Sequence, residues 1–74
     1  MNNVRSAKKI KIDGDFITLG QLLKEEGIIP TGGAAKWFLR EHPVEVNHQP
    51  EQRRGKKLRS GDQVVVEQTT FSIE

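Results

Sequence analysis

Thr18-Leu19-Gly20-Gln21-Leu22-Leu23-Lys24-Glu25-Glu26-Gly27 carries both the start and the stop signals of a helix. Thr18 and Gln21 have the spacing of a capping box, in which each side chain satisfies a backbone N–H that the helix leaves unpaired. Leu19, Leu22 and Leu23 fall at i, i+3 and i+4, the spacing of one buried face. Gly27 accepts the left-handed backbone that ends a helix, which predicts a first helix over roughly 19–26. Ile28-Ile29-Pro30 then leads to a second start, with Thr31 as N-cap of a helix from about Gly32 to His42. Ala35, Phe38 and Leu39 form its apolar face, Lys36 and Arg40 share a different face, and Pro43 stops it.

Outward from these helices the pattern changes to strand. Lys8-Lys9-Ile10-Lys11-Ile12 puts Ile10 and Ile12 on one face, and Asp13-Gly14 is a turn signal from which Asp15-Phe16-Ile17 is expected to return as a short strand. Beyond Pro43, Val44-Glu45-Val46 alternates and Asn47-His48-Gln49-Pro50 reads as a turn. Leu58 is an isolated apolar anchor, Ser60-Gly61-Asp62 is another turn, and Val64-Val65-Val66 and Phe71-x-Ile73 are strand-forming. Phe16, Phe38 and Phe71 are expected in the core. Residues 1–7 read as a flexible tail and 8–74 as a single domain. The expected architecture is α+β, with two short helices packed on a small antiparallel β-sheet.

With 74 residues, 34% of them hydrophobic, the chain is one domain whose folding buries only about 60% of its unfolded surface. The absence of cysteine excludes disulfides and cysteine metal sites. His42 and His48 are too few for a zinc site of their own, so neither metal nor cofactor is expected. Residues 1–7 lack the apolar run of a signal peptide, and no stretch approaches the roughly 18–20 apolar residues of a membrane span. A cytoplasmic protein is expected, without membrane contact. No nucleophile–base pair, metal set or phosphate loop stands out, so the expected role is non-catalytic.

The modest net charge of +2 hides a segregation. Arg53, Arg54, Lys56, Lys57 and Arg59 carry +5 within seven residues, no acid occurs from Gln52 to Gly61, and the rest of the chain sets 7 basic against 10 acidic residues. Such a local cationic surface suits a polyanion. Each Lys or Arg near a phosphate displaces a condensed counterion, and arginine can also bind phosphate through two hydrogen bonds or stack on a splayed base. Gly55 would let the backbone come close to the ligand. The competing reading is a solvated loop whose charge only aids solubility. The start of the second helix is a further candidate. Thr31, Gly32 and Gly33 would present backbone N–H groups at the positive end of a helix dipole, and Lys36 and Arg40 continue the charge along the helix. This stripe and the 53–59 run are expected to form one concave surface; otherwise the glycines only permit a tight turn.

Four segments together resemble a known family. They are Gly20-Gln21-Leu22-Leu23-Lys24-Glu25-Glu26-Gly27-Ile28, Thr31-Gly32-Gly33-Ala34-Ala35-Lys36, Val44-x-Val46-Asn47 and Arg59-x-Gly61-Asp62-x-Val64-x-Val66. In order and spacing they are similar to the alpha-L RNA-binding motif, or S-four domain, over about 18–67. Thr31 to Leu39 and Arg53 to Leu58 further resemble the short stand-alone bacterial proteins of this superfamily. The resemblance implies binding of structured RNA, ribosomal in the first place, with a role in ribosome assembly or translation. The chain departs from the family at three places. Thr18-Leu19-Gly20 stands where Arg-Leu-Asp is usual, Gly32 where an arginine often follows the second cap, and His48 where Val-Asn is often followed by glycine.

The remaining polar and aromatic residues divide more evenly. Trp37 lies beside the apolar stripe, where it could stack on a base, but packing at the edge of the core is the favoured reading. Asn47 either contacts RNA or stabilises its own turn. His42 at a helix end and His48 in a turn have no ligating or catalytic neighbour in the pattern, and Asp62 is read as a turn residue. Rival functions using the same basic face are a protein-interaction adaptor and a DNA-binding module. A β-grasp sulfur carrier fits poorly, because the chain ends Phe71-Ser72-Ile73-Glu74 rather than in a flexible Gly-Gly.

Overall fold

The capping box at Thr18 forms as its spacing predicts. In the computed structural model, which describes residues 6–74, the Gln21 backbone N–H donates to the Thr18 hydroxyl at 3.2 Å and the Thr18 N–H donates to the Gln21 side chain at 2.8 Å. Helix α1 spans Leu19–Glu25, and Leu19, Leu22 and Leu23 are fully buried. Gly27 then takes φ +73, which turns the chain so that the Ile28 and Ile29 N–H groups both donate to the Leu23 carbonyl, at 2.9 and 3.3 Å. Ile29 is thereby delivered to the core.

The second helix is shorter than its sequence predicts. Gly32–Ala34 forms a 3₁₀ turn, and helix α2 spans only Ala35–Glu41. Thr31 has the extended backbone of an N-cap, but its side chain makes no capping hydrogen bond. Two successive glycines let the first turn tighten, so that the Ala34 N–H reaches the Thr31 carbonyl at 3.1 Å, the i→i+3 pattern. At the other end His42 is extended, as a residue before proline must be.

Among the described residues seven strands complete the fold: β1 Ser6–Ile10, β2 Ile17–Thr18, β3 Val44–Val46, β4 Gln49–Pro50, β5 Lys57–Leu58, β6 Gln63–Val66 and β7 Thr69–Ile73. Five of them form one sheet in the order β1-β7-β6-β3-β4, and β2 pairs with β5 in a separate ribbon. All pairings are antiparallel except β1 with β7, which is parallel in the register Ser6–Thr69 to Ile10–Ile73. The sheet is therefore mixed, with an antiparallel body and one parallel edge.

The expected hairpin between 8–12 and 15–17 does not form. Gly14 does bend the chain, at φ +103, but Ile17 pairs with Leu58 instead, because the segment is drawn to the start of α1, while Ile10 lies opposite Ile73 at the core edge. Of the tail expected over 1–7, residues 1–5 lie outside the described residues, and 6–7 belong to β1.

The strands alternate as half-buried strands do. Val44, Val46, Val64, Val66, Phe71 and Ile73 are buried, whereas Glu45 is exposed and Val65 and Ser72 are half-buried. Val46, Val64 and Phe71 sit opposite one another across three strands, and with the leucines of α1 and with Ala35 and Leu39 of α2 they form one continuous core. Phe38 packs against its margin. Phe16 does not join it. It is 37% exposed, because the bend at Gly14 leaves it outside the β2–β5 ribbon.

Candidate nucleic-acid interface

The first N–H groups of any helix lack partners within it. In α1 two of them are satisfied by the basic segment: the Leu19 N–H donates to the Lys56 carbonyl at 2.9 Å and the Gly20 N–H to the Arg54 carbonyl at 2.8 Å. A turn closed by the Lys56 N–H on the Arg53 carbonyl at 3.2 Å shapes the segment between them, and fully buried Leu58 locks its end. The loop thus spends two carbonyls on α1, while the side chains of Arg54, Lys57 and Arg59 are exposed and Lys56 is half-buried.

Gly20 makes this approach possible. A Cβ there would lie 3.3 Å from the Arg54 carbonyl oxygen, 3.4 Å from Arg54 Cβ and 3.6 Å from Ala35 Cβ. Helix α1, the basic segment and α2 all meet at this one glycine. Its sequence signal was only a glycine inside a helical pattern, which commonly marks a packing contact.

Two shallow grooves border the loop. One, of about 410 Å³, is lined by Thr18, Gly20, Gln21 and Lys24 on the α1 side, by Gly32, and by Arg54 and Gly55. The other lies just before the loop, lined by residues 39–45, with Arg40 beside Glu41 and Glu45, and by Pro50, Glu51 and Gln52. Helix α2 and the 3₁₀ turn before it therefore lie near residues 51–55: Arg40 shares a groove with Glu51 and Gln52, and Gly32 shares one with Arg54 and Gly55. Lys36 is exposed on the same short helix. Gly32 and Arg54 thus line one groove and Arg40 the other. Lys24 joins Gly32 and Arg54, although sequence reasoning left it out; it lies one helical turn beyond Gln21 on the side away from the leucines.

The other expected site residues fare differently. Thr31, Gly32 and Gly33 open a 3₁₀ turn rather than an α-helix: the Ala34 N–H donates to the Thr31 carbonyl and the Ala35 N–H to the Gly32 carbonyl. Lys57 Nζ lies over the Phe16 ring, 4.9 Å from its centroid. Arg59 sits at the next turn, its backbone N–H donating to the Asp62 carboxylate at 2.8 Å. Asn47 is engaged within the protein. Its side chain donates to Asp62 at 3.1 Å and accepts from the Gln63 N–H at 2.9 Å, while its backbone takes φ +53, which is the turn-stabilising reading. The Arg59 N–H, opposed by burial and helped by Asn47, holds the Asp62 carboxyl below its usual range.

Arg53 is the unexpected case. Its guanidinium makes two hydrogen bonds to Glu51, at 2.9 and 3.2 Å, and its backbone N–H adds a third at 3.0 Å. The Arg53 side chain is the main reason that the Glu51 carboxyl falls to about 2. The acid-free window begins one residue after the acid that neutralises its first arginine. Among the described residues, Arg54, Lys56, Lys57 and Arg59 have no such carboxylate partner.

Trp37 is 58% exposed, which overturns the core-edge reading. The core takes Ala35 and Leu39, with Phe38 at its margin, and Trp37 is not among the residues packed against it. Arg40 Cζ lies 5.1 Å from its ring centroid. His42 stacks on Phe38 with centroids 4.5 Å apart, and its Nδ1 is 3.3 Å from a Glu67 carboxylate oxygen. His48 holds φ +69 in the turn. Among the described residues no three His, Cys, Asp or Glu side chains are grouped to hold a metal ion, and no helix is long and apolar enough to cross a membrane.

Comparison with known proteins adds two findings. A family model described as the S4 domain matches residues 10–74. The chain is also 56% identical over 61 residues to the probable ribosome maturation protein RlbA of Bacillus subtilis (strain 168), an alignment covering 82% of this chain and 86% of that protein. No solved structure gives a significant match.

Proposed function

We propose, from the premise that the chain belongs to the S4 domain family, that it is a non-catalytic module that binds structured ribosomal RNA during ribosome assembly. The observation that carries this reading is the convergence at Gly20. It fastens a loop bearing four unpaired cations to α1 and lays it beside α2, so that Arg54, Lys24 and Arg40 border grooves flanking the same five residues. Holding the backbone leaves the cations pre-positioned, so less ordering entropy is lost when a phosphate backbone docks. Affinity then comes from phosphate contacts, and selectivity from the shape of the RNA. The similarity to a ribosome maturation protein over most of both chains supports a ribosomal target.

The test is in-cell crosslinking followed by sequencing of the attached RNA. Reads concentrated on ribosomal RNA, and lost when Arg54, Lys56 and Lys57 are replaced together by alanine, are expected. Partners that survive ribonuclease treatment with no RNA crosslink would favour a protein adaptor instead, and crosslinks to DNA alone would also end the RNA reading.

A further inference from the structure

Trp37 and Arg40 occupy the solvent side of α2, opposite Ala35 and Leu39 in the core. Trp37 and Phe16 are the two exposed large hydrophobic side chains among the described residues, and a cation lies over each ring. We infer that Trp37 is a nucleobase-stacking station: an unpaired base of the bound RNA lies against its indole, while Arg40 and Lys36 hold the neighbouring phosphates. This rests on the RNA-binding reading and adds to it a base contact that the basic loop does not supply.

Three observations favour an RNA base over a protein side chain. A protein hot spot is an aromatic ringed by further apolar contacts that exclude water. Trp37 stands instead among charged side chains on the exposed side of α2, the cations Lys36 and Arg40 and the anion Glu41. The two cations suit a ligand that offers an aromatic face and a negative charge close together, which a nucleotide does. The position is also continuous with the interface, because Arg40 both covers the indole and lines the groove beside Glu51 and Gln52. Unpaired bases in loops and bulges are the parts of structured RNA free to make it.

The chain provides its own reporter, since Trp37 is its one tryptophan and it contains no tyrosine. The experiment titrates the full chain, at low salt, with a labelled RNA hairpin carrying an oligoadenosine loop and with the same hairpin carrying an abasic loop. Anisotropy of the label reads binding, and indole emission reads stacking. Expected are quenching by the adenosine loop but not by the abasic loop, and weaker binding of the abasic hairpin by roughly fivefold to a hundredfold, the range of one base–aromatic stack. Trp37→Ala should lose that same preference while binding the abasic hairpin as the wild type does, and Trp37→Phe should keep part of it. Binding of both hairpins with unchanged emission and no loss in Trp37→Ala overturns the stacking station and leaves the RNA-binding reading intact. Loss in Trp37→Ala that is equal for the two hairpins also overturns it, since the contact would not be to a base. Failure of both hairpins to bind overturns both readings.

Discussion

Arg53 and Arg54 are adjacent and chemically identical, yet their surroundings predict opposite behaviour in RNA binding. Arg53 is held by Glu51 through two side-chain hydrogen bonds, and the Glu51 carboxyl, at about 2, stays ionised at neutral pH. The pair presents no net charge to a phosphate. Arg54 has no carboxylate partner and lines a groove. Each cation that docks on a phosphate steepens the dependence of log affinity on log salt by about 0.9 on a duplex and about 0.7 on a single strand. Replacing Arg54 by glutamine should therefore flatten the slope by about 0.7–0.9, a loss of roughly threefold in salt sensitivity over a fourfold change in salt. Replacing Glu51 and Arg53 together by glutamine keeps the net charge and should leave the slope unchanged. Glu51→Gln alone releases Arg53 and should steepen it by about the same 0.7–0.9. The assay is equilibrium binding to a ribosomal RNA fragment across a potassium chloride series. If removing the pair flattens the slope as much as removing Arg54, Arg53 reaches phosphate despite Glu51, and the reasoning from pairing fails.

Other outcomes follow from the packing. Leu58→Ala removes a fully buried side chain that ends the basic segment and should cost about 2–5 kcal/mol in urea unfolding. Gly20→Val gains helix propensity, but its first side-chain carbon would already crowd the Arg54 carbonyl at 3.3 Å; overpacking of about 1–3 kcal/mol should prevail, with weakened RNA binding in the same variant. Acid should destabilise the fold through Glu51. Its folded-state value lies near 2, below the ordinary 4.5, so its contribution is complete above 4.5 and is lost as pH falls toward 2. Urea midpoints of the wild type should decline across that window more than those of Glu51→Gln.

Much of the fold was legible because it is written locally. The Thr18–Gln21 box, the leucines at i, i+3 and i+4 and the stop at Gly27 are all short-range signals, and α1 appears where they place it. The alternating valines of β3 and β6 are equally local. What escaped was long-range. Nothing near Ser6–Ile10 announces a parallel partner at Thr69–Ile73, and nothing near Ile17 announces Leu58. The same divide runs through the site. The charge of 53–59 is visible in composition, but the neutralisation of Arg53 depends on a fold-back from Glu51 just outside the window. The exposure of Trp37 depends on which side of a seven-residue helix the core claims. Lys24 enters the site only because the loop is tied to its helix.

The parallel edge of the sheet also bears on the order in which the molecule can be made. β7 lies between β1 and β6, so the first of the described strands has no sheet neighbour until the last of them exists. Both helices and the β3–β4 hairpin can find their local contacts earlier in synthesis, whereas this closure joins the first and last of the described strands and carries the entropic penalty of the longest loop between them. A released chain cut short before Thr69 would retain every residue of the basic loop and leave β1 without its sheet neighbour.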